Sequence, residues 1–73
     1  MNLEYDARID AAYIYLAPLK PGDAKKTYAC DPEEVGGQIQ LDFDDGGRLI
    51  GIEVLDASHM LPADLLKSGT AAK

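Results

Sequence analysis

The stretch Gln38-Ile39-Gln40-Leu41-Asp42-Phe43-Asp44-Asp45-Gly46-Gly47-Arg48-Leu49-Ile50-Gly51-Ile52-Glu53-Val54-Leu55 decides how this chain folds. Its first six residues alternate polar and apolar, the period of a strand with one buried face. Asp44-Asp45-Gly46-Gly47 interrupts the alternation, and Asp-Gly is a strong hairpin signal because both central turn positions must accept a positive φ. Arg48 to Leu55 then reads as the returning strand. A two-residue turn at Asp45-Gly46, or a four-residue loop over Asp44 to Gly47, predicts the pairs Phe43–Arg48, Leu41–Ile50 and Ile39–Ile52. That register gathers Ile39, Leu41, Ile50, Ile52 and Val54 on one face. Gln38, Gln40 and Asp42 fall on the other, opposite Glu53, Gly51 and Leu49. A slip of one residue would mix the faces, so this register is well specified.

Working outward, Leu3-Glu4-Tyr5 and Ala12-Tyr13-Ile14-Tyr15-Leu16 are rich in aromatic and branched residues and predict an earlier hairpin. Asp6 and Asp10 bracket its turn, where their carboxylates suit bonds to nearby amides. Pro18, Pro21 and Gly22 end the second strand. Lys25 to Cys30 predicts a third strand. Asp31-Pro32 predicts a helical turn, with Asp31 as N-cap and Pro32 at the first helical position. Asp56 and Ser58 suit caps for a turn around Ala57 to Met60. Pro62 opens a second short helix to Lys67, which stops at Ser68-Gly69. The fold class expected is mainly β (α+β): an antiparallel β-meander of about five strands with a short C-terminal helical segment. Residues 1–67 form a single domain in this reading, and 68–73 form a frayed tail.

A chain of 73 residues makes one domain. At this size the core is marginal, and small domains usually add disulfides, a metal or a partner subunit. Cys30 is the lone cysteine, which excludes an internal disulfide. Cys30 and His59 alone cannot furnish the four N/S ligands of a structural zinc. Association remains, so a homodimer or higher homo-oligomer is expected. The acidic start, Met1-Asn2-Leu3-Glu4-Tyr5-Asp6, is unlike a signal peptide. With no membrane-length apolar run and a single free thiol, a cytoplasmic location is expected. The net charge of −6 leaves no basic field to hold nucleic acid, and Lys25-Lys26 is the one adjacent pair of cations. An acidic surface suits solubility or a basic protein partner.

Tyr5-Asp6, Asp10-Ala11, Tyr13-Ile14, Asp42, the turn Asp44-Asp45-Gly46-Gly47-Arg48, and Gly51-Ile52-Glu53-Val54-Leu55-Asp56-Ala57-Ser58 together resemble the domain-of-unknown-function 2283 family. Its members are short bacterial and archaeal proteins. The resemblance spans roughly Tyr5 to Leu61 and supplies no activity, substrate or catalytic residues. It implies at most an antitoxin-like role, because some members look as if they sit beside toxin-like genes. The chain departs from the pattern at Ala7, where relatives often carry proline.

The chemistry-bearing residues are sparse. Asp42, Asp44, Gly47 and Glu53 fall at positions one, three, six and twelve of a calcium-loop pattern. Gly46 supplies no side-chain oxygen at position five, and strands rather than helices flank the loop, so no metal site is assigned. Cys30 and His59 read better as a small core cysteine and a capping or exposed histidine than as nucleophile and base. Ser58 lies in no nucleophile elbow and reads as a cap. No catalytic constellation and no cofactor are expected. Tyr5, Tyr13, Tyr15 and Tyr28 form the set most suited to an interface, because tyrosine offers contact area, a polar tip and few rotamers to lose. The function expected is a non-catalytic, self-associating protein-interaction module, the alternative being a small-ligand or metal-binding protein. An enzyme would need a site assembled between subunits.

Overall fold

In a computed structural model, which describes residues 2–71, the elements are β1 (Asn2–Asp6), β2 (Ala11–Tyr15), β3 (Lys26–Ala29), α1 (Pro32–Val35), β4 (Ile39–Phe43), β5 (Leu49–Leu55), α2 (Ala57–Met60), α3 (Ala63–Lys67) and β6 (Thr70–Ala71). Five antiparallel strands and the two-residue β6 form one sheet in the order β3-β4-β5-β2-β1-β6. The mainly β class and the short C-terminal helices agree with the sequence reading. The order is more than a simple meander, because β2 pairs with β5 rather than β3, from Ala11↔Leu55 to Tyr15↔Gly51. Burial explains the choice. All four residues of β3 are exposed, as befits an edge, whereas β5 buries Ile50, Gly51 and Val54 and needs a neighbour on each side.

The hairpin forms, but its register differs from the one predicted. The ladder runs Ile39↔Val54, Leu41↔Ile52 and Asp42↔Gly51, then shifts so that Phe43 opposes Leu49. Most pairs have therefore slid by two residues, which keeps Ile39, Leu41, Ile52 and Val54 on one face, whereas Leu49, expected on the polar face opposite Asp42, lies opposite Phe43 instead. The loop explains the slide. The Asp44 carbonyl accepts the Gly47 amide, Gly47 takes φ 82°, and the Asp44 amide donates to the Arg48 carbonyl. This is a turn closed by a left-handed glycine, one residue longer than the tightest hairpin. The Asp44 side chain holds it from within, since Oδ1 accepts the amides of Gly46 and Arg48 at 2.9 Å each. The further shift leaves Ile50 as the extra residue of a β-bulge, which bends β5 while Ile50 stays buried.

One face of the sheet carries the core. Leu3, Ala12, Ile14, Val54 and Ala57 form its centre, and Met60, Leu61, Leu65 and Leu66 of the C-terminal segment pack against it. Asp31 caps α1 as predicted, its carboxylate accepting the Glu33 amide at 3.0 Å. Ser58 does not act as a cap. Instead Asp10, 48 residues away, accepts the Ser58 amide at 3.0 Å and its hydroxyl at 2.7 Å, while the Asp10 carbonyl accepts the Ala57 amide. The Tyr5 hydroxyl donates to the same carboxylate at 2.6 Å. The start of α2 is thus capped from the first hairpin, because Asp56, the residue in cap position, makes no side-chain bond there. Asp10 and Asp56 both adopt left-handed backbone, at φ 52° and 53°. Thr70–Ala71, assigned by the sequence reading to a tail outside the domain, pair parallel with β1 through Glu4 and Tyr5. The tail residues 72–73 lie outside the described residues.

The two left-handed aspartates should respond oppositely to glycine, which relieves the backbone at either position. Asp10→Gly removes the Tyr5 and Ser58 bonds and is expected to lower Tm by several degrees. Asp56→Gly loses no capping bond and is expected to leave Tm unchanged or raise it slightly. The Tyr5 hydroxyl, then Ser58, hold the Asp10 carboxyl below its ordinary range. Its contribution is therefore present above about pH 4 and lost as pH falls through the depressed value. Thermal melts across pH should show wild type and Asp10→Gly converging in acid.

Candidate functional site

The second face of the sheet carries no helix packed against it among the described residues. Period-two alternation places Asn2, Glu4, Asp6, Ala11, Tyr13, Tyr15, Thr27, Ala29, Gln40, Asp42, Gly51, Glu53 and Leu55 on it, as the ladders confirm. Tyr13 stands between Glu4 on β1 and Glu53 on β5. Its ring crosses β5 above Gly51 and donates its hydroxyl to Asp42 Oδ2 on β4 at 2.6 Å. Asp42 Oδ1 accepts the Thr27 hydroxyl from β3, also at 2.6 Å. One chain of side chains therefore links β2, β4 and β3 across this face and passes over β5.

Gly51 makes the crossing possible. A Cβ there would overlap the Tyr13 phenol oxygen and ring. Tyr15 packs edge-on against Tyr13, with centroids 4.7 Å apart and an interplanar angle of 64°. This geometry favours an aromatic pair beyond the area it buries. Burial, and then the bond to the Asp42 carboxylate, push the Tyr13 hydroxyl well above its ordinary range. It stays a neutral donor throughout physiological pH.

No strand position on this face is a lysine or arginine, and Arg8 in the adjoining turn is taken up by Asp6 at 3.1 Å. The surface is acidic, aromatic and open. Of the four tyrosines expected to form an interface, it holds Tyr13 and Tyr15. Tyr5 lies on the helix-bearing face, bonded to Asp10, and Tyr28 lies on that same face at the opposite sheet edge. The four do not form one patch.

The calcium-loop spacing is absorbed by the fold. Asp42 serves Tyr13 and Thr27, Asp44 serves the turn, and Glu53 sits opposite Gln40. Among the described residues no group of three or more His, Cys, Asp or Glu side chains is arranged to hold a metal ion. Cys30 is a free, half-buried thiol just after β3, and His59 is exposed on α2. The Tyr13–Asp42 bond joins residues 29 apart and needs β2 beside β5, so spacing alone does not reveal it. The signal present in the sequence is Gly51, a glycine inside a strand of large apolar residues, which marks a close approach.

The family model described as "Protein of unknown function (DUF2283)" matches residues 2–58. The chain belongs to this family. No curated protein and no solved structure matches the chain. The DUF2283 segment runs from β1 into the first turn of α2, ending at the serine that Asp10 holds. It contains both hydrogen-bonded clusters, Tyr5–Asp10–Ser58 and Tyr13–Asp42–Thr27, and excludes α3 and β6. Several residues that carry the family resemblance thus serve the architecture: Gly51 allows a crossing, Asp10 caps a helix through Ser58, and Asp44 and Gly47 close a turn. Among the described residues no helix is long and apolar enough to cross a membrane.

Gly51→Ala is expected to displace Tyr13 and destabilise by about 2 kcal/mol, the range for overpacking. That penalty should shrink in a Tyr13→Ala background, as a double-mutant cycle by urea unfolding would show. Tyr13→Phe is expected to cost about 1 kcal/mol through one lost bond to a carboxylate. Because folding raises the Tyr13 value, its contribution is complete below about pH 10 and lost as pH climbs through the folded-state value. Tyr13→Phe should therefore flatten the alkaline limb of the stability profile.

Proposed function

We propose that this DUF2283 chain is a non-catalytic protein-interaction module, working as a homo-oligomer in the reducing cytoplasm, that presents its open sheet face to a basic protein partner. The observation that carries the reading is the unpaired, acidic, tyrosine-bearing face. Tyr13 and Tyr15 are held rigidly there by the Asp42 bond and by each other, so little side-chain freedom is lost on docking. Glu4 and Glu53 flank the pair without a cation on the same strands. An opposing strand or helix bearing Lys or Arg would meet complementary charge and two aromatic platforms, which cations favour. A non-catalytic role is supported by how the polar groups are used, since the hydroxyls of Tyr5, Tyr13, Thr27 and Ser58 all donate to structural carboxylates. An antitoxin-like protein masking a basic toxin would be one instance of this class.

The chain and a Tyr15→Ser/Glu53→Lys variant, used side by side as bait in an extract of the native host, test this. Tyr15 and Glu53 lie outside the Asp42 cluster, so the variant is expected to fold with an unchanged circular dichroism spectrum. A basic protein should be retained by the wild type and released as ionic strength rises from about 0.1 to about 1 M. Its retention should fall at least tenfold on the variant. Equal retention by both baits would overturn the assignment of the face.

A further inference from the structure

The helix-bearing face is finished at one end only. A single row of side chains runs across all five antiparallel strands: Leu3, Ile14, Ile52, Leu41 and Tyr28, each directly opposite the next. Leu3 is 4% exposed and Ile14 9%, Ile52 and Leu41 are half-buried, and Tyr28 is 55% exposed. The cover supplied by α2 and α3 fades along this row. Core packing reaches Ile39 and Ile52, while Tyr28 and, beyond the end of its strand on α1, Val35 are left outside it. The surface area agrees. The chain exposes 5186 Å², against about 4,400 Å² for a folded monomer of this mass. The excess, summed over the whole chain, is of the order of the ~800 Å² that each partner buries in a standard interface.

The same end presents an open strand. β6 covers β1 at one margin of the sheet, whereas β3 at the other has no neighbour on its outer side among the described residues. Charge along β3 is polarised. Lys25 and Lys26 stand at its start, and Asp31, Glu33 and Glu34 follow its end, all exposed.

Resting on the proposal that the module works as an oligomer, we infer that its self-association surface is the β3 edge, joined antiparallel to the β3 edge of a second copy about a two-fold axis. Residues opposite one another in a ladder share a face, which limits the allowed registers. The register that sets Tyr28 against the second copy's Tyr28 places Lys25 opposite Asp31 and brings Lys26 towards Glu33 and Glu34. Each of these contacts occurs twice, as an isologous interface requires. The apolar row then runs unbroken across two sheets, from one Leu3 to the other. A parallel arrangement would put lysine against lysine. The same geometry leaves the Tyr13–Tyr15 face of both copies free for another protein.

Sedimentation equilibrium of the intact chain tests this. The wild type should be dimeric at micromolar concentration. Tyr28→Ser, at an exposed position, should keep its circular dichroism spectrum and weaken the dimer at least tenfold. Lys26→Glu and Glu33→Lys/Glu34→Lys should each weaken the dimer at least tenfold alone, and should form a heterodimer when mixed, because the mixture keeps Lys25 opposite Asp31 and restores opposite charges between position 26 and positions 33 and 34. A folded wild-type monomer at about 100 μM would overturn both the inference and the oligomeric part of the proposal. A dimer indifferent to Tyr28→Ser and to the charge reversals would overturn the β3 surface alone.

Discussion

The ladder between β2 and β5 makes one sheet out of two separate pieces. β1 and β2 form a hairpin by local connection, and β3, β4 and β5 follow one another as neighbours. Neither piece has a layer to pack against by itself, and a lone hairpin is marginal in water. Their union places Ile14 beside Ile52 and Ala12 beside Val54, which creates the core that α2 and α3 then cover. Both hydrogen-bonded clusters straddle this joint. Tyr13 reaches over β5 on one face, and Asp10 reaches α2 at the end of β5 on the other. A missing side chain at Gly51 and a left-handed turn at Asp10 are the local concessions that permit them.

Much of this was legible in the sequence wherever the physics is local. The alternation from Gln38 to Phe43 is a one-dimensional record of which side of a sheet is wet, and the structure keeps the predicted faces. The Asp31-Pro32 cap needs only adjacent residues and also appears as read. The register failed because a turn is chosen by small differences in backbone energy. Asp44 can stabilise a longer loop from inside, and Gly47 can supply the positive φ as readily as Gly46. The pairing of β3 was not legible, because the contest between β3 and β5 for the side of β2 is settled by burial over the whole domain. The candidate site was half legible: Tyr13 and Tyr15 share a strand and so a face, but Tyr5 and Tyr28 belong to strands whose placement requires the sheet order.

The architecture also explains why this small domain leaves surface to spare. Domains usually close two layers around a core. Here the second layer is two helices of four and five residues lying over one end of one face. The shortest dimension of the molecule is 19 Å, that of a sheet with a thin covering. Its two uncovered regions differ in character, one acidic and aromatic with its side chains tied down, the other an apolar margin beside an open strand. Under the proposed interaction role, that difference gives a single thin sheet two unlike docking surfaces.

The Asp10–Ser58 bond has a bearing on how the protein comes into being. It spans 48 residues, and the β2–β5 ladder it closes off spans nearly as many. While the chain is being synthesised, the first hairpin emerges with an exposed apolar face and without the strand that completes it. The core cannot close until β5 and α2 have left the ribosome. Long-range pairing of this kind slows folding and prolongs the exposure of apolar strands. The first forty-five residues carry ten carboxylates against four cations, and the repulsion between them works against association of chains that still lack β5.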